Sequence, residues 1–157
     1  MLSALRTCRP GLARGHDRHL FHALLDTLCL PAVACASGGR VTHANAPAME
    51  LFGRGCVVGV QPDAWIAELR PRMPSGIAMP REDLPPLRAL RGEAVHGVDV
   101  LVRVRGGDAL LEINARPATN RLGRPCAAIV VLADVTDQRR REAALRCRLE
   151  SPHGARH

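Results

Sequence analysis

The sequence contains no lysine and no tyrosine, and its aromatic residues are one tryptophan and two phenylalanines. Without lysine, the chain cannot form the glycine-rich phosphate-binding loop that requires one. So few rings leave little to stack against a flat chromophore. The longest apolar run, residues 126–133, has the length of a strand, well below the roughly 18 to 20 residues of a membrane-spanning helix. These shortages exclude a lysine-bearing phosphate loop and give no support to a membrane span or a coloured cofactor.

Groups that carry chemistry are also sparse. The six cysteines are never closer than six positions, so the sequence has no CxxC pair and indicates neither a zinc ribbon nor a redox dithiol. For most of them, buried or half-buried thiols in a reducing cytoplasm are the simplest interpretation. No activated nucleophile and no catalytic pair of carboxylates stands out. The 157 residues suffice for one domain but not for a sensor plus an enzyme, and we predict no catalytic activity.

The net charge of +7 is concentrated at the two ends of the chain. Between residues 17 and 137 there are 13 arginines and 13 acidic residues, so this stretch is neutral. We therefore expect no nucleic-acid binding by the core, although Arg-rich ends that bind nucleic acid are a weaker alternative. An organellar transit peptide at the Arg-rich start of the chain is a minor alternative. The predicted division is a flexible basic tail (1–16), a domain (17–137) and a C-terminal helix with its tail (138–157).

Local patterns in the first third predict a helix followed by a hairpin. Apolar positions at spacings of three and four indicate a helix over 17–30, ended by a proline. Two short extended segments, 31–36 and 41–44, flank the glycine pair of an SGGR turn. Asn45 then stands where the N-cap of a short helix belongs. This helix is expected to pack back on the hairpin.

The rest of the chain predicts one more surface helix, three strands and a closing helix. Leucines at helical spacing indicate a helix over 82–91, after a middle rich in glycine and proline. Alternating apolar residues predict strands over 98–105 and 111–116, and the apolar run 126–133 is typical of a strand in the middle of a sheet. The final helix follows Asp134. The fold class is therefore α+β, with a five-stranded antiparallel sheet, helices on one face, and a flanking helix at each end.

Three segments in this order resemble the PAS family of bacterial signalling modules, within a match that covers roughly residues 20–148. They are HALLDTLCLPAVACASGGRVTHANAPAMELFG, LPPLRALRGE and RGGDALLEINARPATNRLGRPCAAIVVLADVTDQRRREAAL. The resemblance implies a sheet that surrounds a pocket closed by the mid-chain helices, and often a dimer. It also implies that Asp134, Val135 and Thr136 form the D-[VI]-T segment before a signalling helix, and that Asn45 caps the first core helix. We expect these residues to be structural, through side-chain to backbone hydrogen bonds.

Any pocket of such a domain is expected to be small, apolar and colourless, because strand valines, leucines and isoleucines would form its walls. A solid core built from the same side chains is an equally good alternative. The candidate ligand-pocket residues are Val33, Cys35, Phe52, Leu87, Leu90, Ile113 and Ile129.

The string around Cys56 partly resembles the flavin-binding cysteine motif of light-oxygen-voltage photosensors. Gly53, Arg54 and Cys56 match, but the asparagine of that motif is replaced by Gly55. The last strand also lacks the glutamine that contacts flavin. We therefore predict no flavin, in keeping with the caution that partial motifs require.

The histidines give no stronger indication of a cofactor. Haem would need an axial histidine on the mid-chain helix, which has none, and His43 and His96 lie elsewhere. His16, His19 and His22 are spaced by three and could at most form a weak metal site, because no cysteine or carboxylate partner is evident. The prediction is no metal and no cofactor.

The sequence thus predicts a cytoplasmic PAS-type sensory or regulatory module in signal transduction, such as a two-component system or transcriptional regulation. It would bind a small apolar ligand or a protein partner such as a kinase or phosphatase, with no membrane attachment. A homodimer is expected through Leu20, Leu24 and Leu28 of the first helix and Leu145 and Leu149 of the last. Arginines at the start of the last helix oppose its dipole, so this helix is expected to be marginal alone. The alternative is the sensor fragment of a histidine kinase or serine phosphatase regulator that lacks its catalytic domain.

Overall fold

The computed structural model describes residues 15–53 and 58–150, so most of the predicted basic tail lies outside the described residues. The elements follow in the order α1 (Gly15–Asp26), β1 (Ala32–Ala36), β2 (Val41–Ala44), α2 (Ala46–Phe52), α3 (Pro62–Leu69), a 3-10 turn (Arg81–Asp83), α4 (Pro85–Leu90), β3 (Val95–Val104), β4 (Gly107–Thr119), β5 (Pro125–Asp134) and α5 (Thr136–Glu150). None of the helices in these described ranges is long and apolar enough to cross a membrane.

The five strands form one sheet in the order β2-β1-β5-β4-β3, and every neighbouring pair is antiparallel. The predicted α+β class with a five-stranded antiparallel sheet is confirmed. The strand with the longest apolar run, β5, lies in the middle, where both of its faces are covered. Its neighbours are the first hairpin on one side and the long β3–β4 hairpin on the other.

The two faces of the sheet carry different cores. On the inner face, alternate strand residues pack against α2, α3 and α4 and form the main hydrophobic cluster. On the outer face, Ala32 and Ala34 of β1 pack with Leu25 of α1, with Phe21 and Ile129 beside them. Because strand side chains alternate between faces, β1 and β5 contribute residues to both clusters.

Both sheet edges are partly covered by other segments of the chain. Along β2, the backbone of Val41 exchanges hydrogen bonds with Val60 and Gly59. Along β3, the amides of Arg72 and Leu101 each donate to the other residue's carbonyl at 2.8 Å. These bonds occupy backbone groups that an edge strand would otherwise leave unpaired.

Two helices differ from their predicted extents. The first ends at Asp26, where 17–30 was predicted, and the chain then turns toward β1. The predicted helix over 82–91 is instead a 3-10 turn followed by the short α4, with Leu84 between them in an extended conformation (φ −61°, ψ 125°). Leu84 precedes Pro85, and a residue before proline is disfavoured in the helical region. The predicted helix is therefore interrupted at this point.

Candidate functional site

An apolar cavity of about 80 Å³ lies between the inner face of the sheet and the helices that cover it. The sheet provides one wall, with residues from all five strands: Val33, Cys35, Val41, Val100, Val102, Leu111, Ile113, Val130 and Leu132. The opposite wall consists of Phe52, Trp65, Leu69, Pro71, Leu84, Pro85 and Pro86. Ordinary small-molecule sites measure roughly 300–1,000 Å³, so this cavity has room for only a very small guest unless its walls move.

The cavity wall carries no charged side chain among its described lining residues. Its polar groups are the indole N–H of Trp65 and the thiol of Cys35. The indole Nε1 donates to the Gly39 carbonyl at 3.2 Å, so it is already satisfied. Burial raises the pKa of the Cys35 thiol to about 12, which keeps it neutral near pH 7. The wall is suited to a neutral, apolar guest, because an ion placed there would lose its hydration without compensation.

The turn between β1 and β2 is fastened to the helical cover at Gly39. The backbone there has a φ of +86°, and a Cβ added to Gly39 would lie 2.7 Å from Pro62 Cγ and 2.8 Å from Leu87 Cδ2. Glycine is therefore required both for its conformation and for its lack of a side chain. The bond from Trp65 reaches the same residue. This close approach holds α3 and α4 over the hairpin end of the cavity.

Four of the seven predicted pocket residues line the cavity, namely Val33, Cys35, Phe52 and Ile113. Leu87 and Leu90 pack on the core beside it, because α4 approaches the cavity with its N-terminal end, where Leu84 and the two prolines lie.

The prediction for Ile129 is wrong. Ile129 is paired with Ala34, and both belong to the outer cluster against α1. The residue one position on, Val130, faces the cavity. The central strand is apolar on both faces, so its sequence does not show which alternate set points inward.

Asn45 is fully buried and joins three parts of the fold. As the N-cap of α2, its Oδ1 accepts from the Ala48 amide at 3.1 Å, and the same atom accepts from the Ala32 amide of β1 at 2.9 Å. Its Nδ2 donates to the carbonyls of Leu25 at 3.0 Å and Leu30 at 2.9 Å, at the end of α1 and just beyond it. The sequence indicated the cap. The long-range bonds to α1 and β1 could not be read from a local pattern.

Asp134 and Thr136 fix the start of α5 to the sheet. Asp134 Oδ1 accepts from the backbone N of Thr136 at 3.0 Å and from its hydroxyl at 2.6 Å. The Thr136 hydroxyl in turn accepts from the Leu110 amide of β4 at 2.9 Å, and the Val135 amide donates to the Leu110 carbonyl. The two residues thus act through hydrogen bonds to backbone and to each other, and Val135 between them is buried.

Beyond this junction α5 has little support from the domain. Among the described side chains of α5, only Thr136, Arg139 and Glu142 are partly buried, and every one from Ala143 to Leu149 is exposed. Leu145 is 58% exposed and Leu149 is 85% exposed. A helix of this length is marginal in water without packing. The second half of α5 therefore presents two leucine side chains to solvent.

The first helix has a second apolar face that does not contact the sheet. Leu20 is 61% exposed and Leu24 is 58% exposed, and Leu28 beyond the helix end is also exposed. The residues of α1 that pack on the sheet are Phe21 and Leu25, which the leucine pattern did not single out. A row of exposed leucines is typical of a protein contact surface.

The described residues contain no group of three or more His, Cys, Asp or Glu arranged to hold a metal ion. His22 stacks on His43 with ring centroids 4.1 Å apart, and His43 Nε2 lies 3.3 Å from Asp26 Oδ1. The His16 side chain and Cys56 lie outside the described residues, as does Arg54 of the partial flavin motif.

Several solved structures share this fold. An RNA-binding light-oxygen-voltage receptor is similar over 97% of this chain with a TM-score of 0.61 and 20% identity, and the chain spans 42% of that protein. The PAS domain of nitrogen regulation protein NR(II) from Vibrio parahaemolyticus is 21% identical (73% of this chain, 97% of that domain, TM-score 0.53). The PAS domain of Bordetella pertussis BvgS is 18% identical (86% of this chain, 99% of that domain, TM-score 0.52). No curated protein sequence matches the chain.

A family model described as the PAS fold matches residues 25–140, from the last buried residue of α1 into the first turns of α5. This match includes the whole sheet, the helical cover of the cavity, the Asn45 cap and the Asp134–Thr136 junction. Since it covers most of the chain, and the strand order and neighbouring structures agree with it, the protein belongs to the PAS-fold family.

Proposed function

We propose that this chain is a PAS-type sensory or regulatory module without catalytic activity, which transmits a signal through α5. In this proposal the input is a small apolar ligand in the cavity or a protein partner on the domain surface. The output is a change in the docking or self-association of α5. The alternative is that the chain is the sensor fragment of a histidine kinase or serine phosphatase regulator, whose catalytic part is on another segment.

The observation that carries the proposal is the way α5 leaves the domain. The helix is held at its start by Val135 and the Thr136 bonds to β4, whereas every described side chain from Ala143 to Leu149 is exposed to solvent. A helix fixed at one end and unsupported at the other can be ordered or released by a small free-energy change. Its exposed Leu145 and Leu149 would then contact another helix.

Self-association through α1 is the second part of the proposal. Leu20 and Leu24 are exposed one turn apart on α1, on a different face from the Leu25 side chain that packs on the sheet. A second copy would present the same leucines, so a two-fold symmetric contact would cover both sets. We therefore propose a homodimer in which α1 pairs with α1 and the α5 helices extend from the same assembly.

The partner proposed for this module is a signalling protein such as a kinase or phosphatase, in the cytoplasm and without nucleic acid. Similar PAS domains occur in a nitrogen regulation protein and in BvgS, and this chain spans only 42% of the RNA-binding light-oxygen-voltage receptor. These likenesses support the idea that a domain of this kind acts together with further domains.

Light scattering tests the dimer and its parts. We expect the full chain to be a dimer, and Leu24→Arg to shift it toward monomer because a charge would replace an apolar contact. Leu122→Arg is the matched control, since Leu122 is 79% exposed in the β4–β5 turn, away from α1. A version that ends at Asp137 tests α5. A monomeric full chain would refute the homodimer, and a dimer that the truncation leaves unaffected would assign the contact to α1 alone.

Native mass spectrometry of the purified protein tests the ligand. A bound mass compatible with a small neutral molecule, lost in a variant that fills the cavity such as Val102→Phe, would support ligand sensing. The alternative outcome is a protein that binds no compound from a panel of small apolar molecules, and whose cavity-wall amides show no change in hydrogen exchange when the compounds are added. That outcome would leave the protein partner as the input.

A further inference from the structure

Two acidic residues face each other across the β3–β4 hairpin on the outer face of the sheet. Asp99 of β3 is the direct cross-strand partner of Glu112 of β4. Like charges in directly opposed positions destabilise a strand pair. Both side chains are only partly exposed, at 24% for Asp99 and 36% for Glu112, so solvent does not fully screen them. The hairpin therefore needs a cation at this position.

Arg139 of α5 provides that cation. Its Nε lies 3.1 Å from Asp99 Oδ2 and its Nη2 lies 3.4 Å from Glu112 Oε2. Its Nη1 lies 3.2 Å from Glu142 Oε2, one turn further along α5. The hydrogen bond to Asp99, followed by that to Glu142, raises the pKa of Arg139. One guanidinium thus links a carboxylate on each of three elements, and we refer to these four residues as the Arg139 cluster.

The same two strands line the cavity on the opposite face. Asp99 is followed directly by Val100, and Glu112 stands between Leu111 and Ile113. Val100, Leu111 and Ile113 all form part of the cavity wall. Because strand residues alternate between faces, any displacement of these wall residues also moves the backbone that carries Asp99 and Glu112. The cavity and the Arg139 cluster are therefore separated by one layer of backbone.

We propose that Arg139 is the positioning residue that couples α5 to the cavity, through the carboxylate pair of Asp99 and Glu112. This inference rests on the proposed output through α5. When the β3–β4 strands are in their present register, the pair attracts Arg139 and holds α5 on the sheet. When the wall shifts, the pair separates or reorients and the attraction weakens. The coupling is reciprocal, so undocking of α5 leaves the two carboxylates facing each other and loosens the hairpin.

Hydrogen exchange measured by NMR on the full chain tests this without any ligand. The reporters are the amides of Leu110 and Val135, whose bonds close the junction between β4 and α5. We expect Arg139→Gln to speed exchange at both amides by about threefold or more, and added salt to reproduce part of that change in the wild type. Arg140→Gln is the matched control, because it removes the same charge from the next, exposed position of α5.

A second comparison separates coupling from simple loss of an ion pair. In the Arg139→Gln background the carboxylates are unopposed, so we expect exchange across the β3–β4 pair to rise as well. Replacing both acids, Asp99→Asn with Glu112→Gln, should then restore protection of the hairpin without restoring protection of the Val135 amide. Restored protection at both sites would show that α5 docks without the cluster and would overturn the proposal.

The link to the cavity is tested by Ile113→Val, which shortens a wall residue next to Glu112. We expect it to change exchange at the Leu110 and Val135 amides in the wild type and to have a smaller effect in the Arg139→Gln background. Equal effects in the two backgrounds, or Arg139→Gln and Arg140→Gln that behave alike, would refute the coupling. Failure of ligand binding or of dimerisation would refute the proposed function while leaving these exchange results unaffected, so the two can be told apart.

Discussion

The two glycines of the β1–β2 turn allow a sharp test of how the helical cover is fastened. Gly38 and Gly39 both have positive φ, at +91° and +86°. A Cβ on Gly38 would meet nothing within 4 Å, whereas a Cβ on Gly39 would approach Pro62 Cγ and Leu87 Cδ2 to less than 3 Å. Alanine at the two positions therefore imposes the same backbone strain, and only Gly39→Ala adds a steric clash.

The structure sets the size of the difference. The positive φ costs an alanine about 1–2 kcal/mol at either position. Overpacking at Gly39 adds about 1–3 kcal/mol, because the ring of Pro62 is stiff and Leu87 must leave its present rotamer. We expect Gly38→Ala to lower the free energy of unfolding by about 1–2 kcal/mol and Gly39→Ala by about 2–5 kcal/mol. For a chain of this size, each kcal/mol lowers Tm by roughly 2–4 °C.

Urea unfolding followed by Trp65 fluorescence and by circular dichroism measures both variants. The midpoint should fall for each while the slope of free energy against urea stays constant, since the surface exposed on unfolding is unchanged. A loss in Gly39→Ala equal to that in Gly38→Ala would show that the contacts with Pro62 and Leu87 impose no restriction. Gly39 would then not be the point at which α3 and α4 are held over the cavity.

Three further predictions concern buried polar groups. Asn45→Ala should lower the free energy of unfolding by about 3 kcal/mol or more, because it leaves several buried backbone groups without a hydrogen bond, at a cost of roughly 1–3 kcal/mol each. A loss below about 1 kcal/mol in thermal unfolding would contradict the role of Asn45 in joining α1, β1 and α2. Trp65→Phe should cost about 1 kcal/mol by removing the bond to Gly39, measured the same way. For Cys35, burial raises the folded-state pKa to about 12 from the ordinary 9.0, so the folded protein holds the proton more tightly and stability should fall as pH rises from 9 to 12. Over this range the free energy of unfolding should fall by about 1.4 kcal/mol per pH unit. In urea titrations at several pH values, Cys35→Ala should abolish this fall, whereas Cys29→Ala, at an exposed position, should leave it unchanged.

The sheet was predictable from the sequence where its two faces differ chemically. In β3 and β4, most outer-face residues are charged or polar, with Leu101 and Leu110 as exceptions, so the alternation identifies the inward set, including Ile113. In β5 both faces are apolar, because α1 covers the outer one, and the choice of Ile129 as a pocket residue was therefore wrong by one position. A period-two pattern shows which residues of a strand point inward only where the other face of the sheet is exposed to solvent.

Helix faces and long-range bonds were harder to derive. The leucine spacing of α1 suggested Leu20 and Leu24 as its apolar face, yet Phe21 and Leu25 are the residues that pack on the sheet. The helix has two apolar faces, and its own sequence does not say which belongs to the domain. Arg139 appeared only as an unfavourable charge at a helix start. Its two acidic partners on the strands, Glu112 and Asp99, are 27 and 40 positions away, beyond the reach of any local pattern.

The covered sheet edges limit how this domain can meet its neighbours. Strand-to-strand addition would have to displace the Val60–Val41 bonds on one side or the Arg72–Leu101 bonds on the other. Cells hold many proteins with sheets of this type, and open edges would let unrelated copies join into mixed ribbons. Partial cover of both edges favours association through helices, whose side chains can discriminate self from non-self where backbone hydrogen bonds cannot. In the contacts proposed above, the identity of the partner would be encoded in the exposed leucines of α1 and α5, which can diverge while the sheet stays the same.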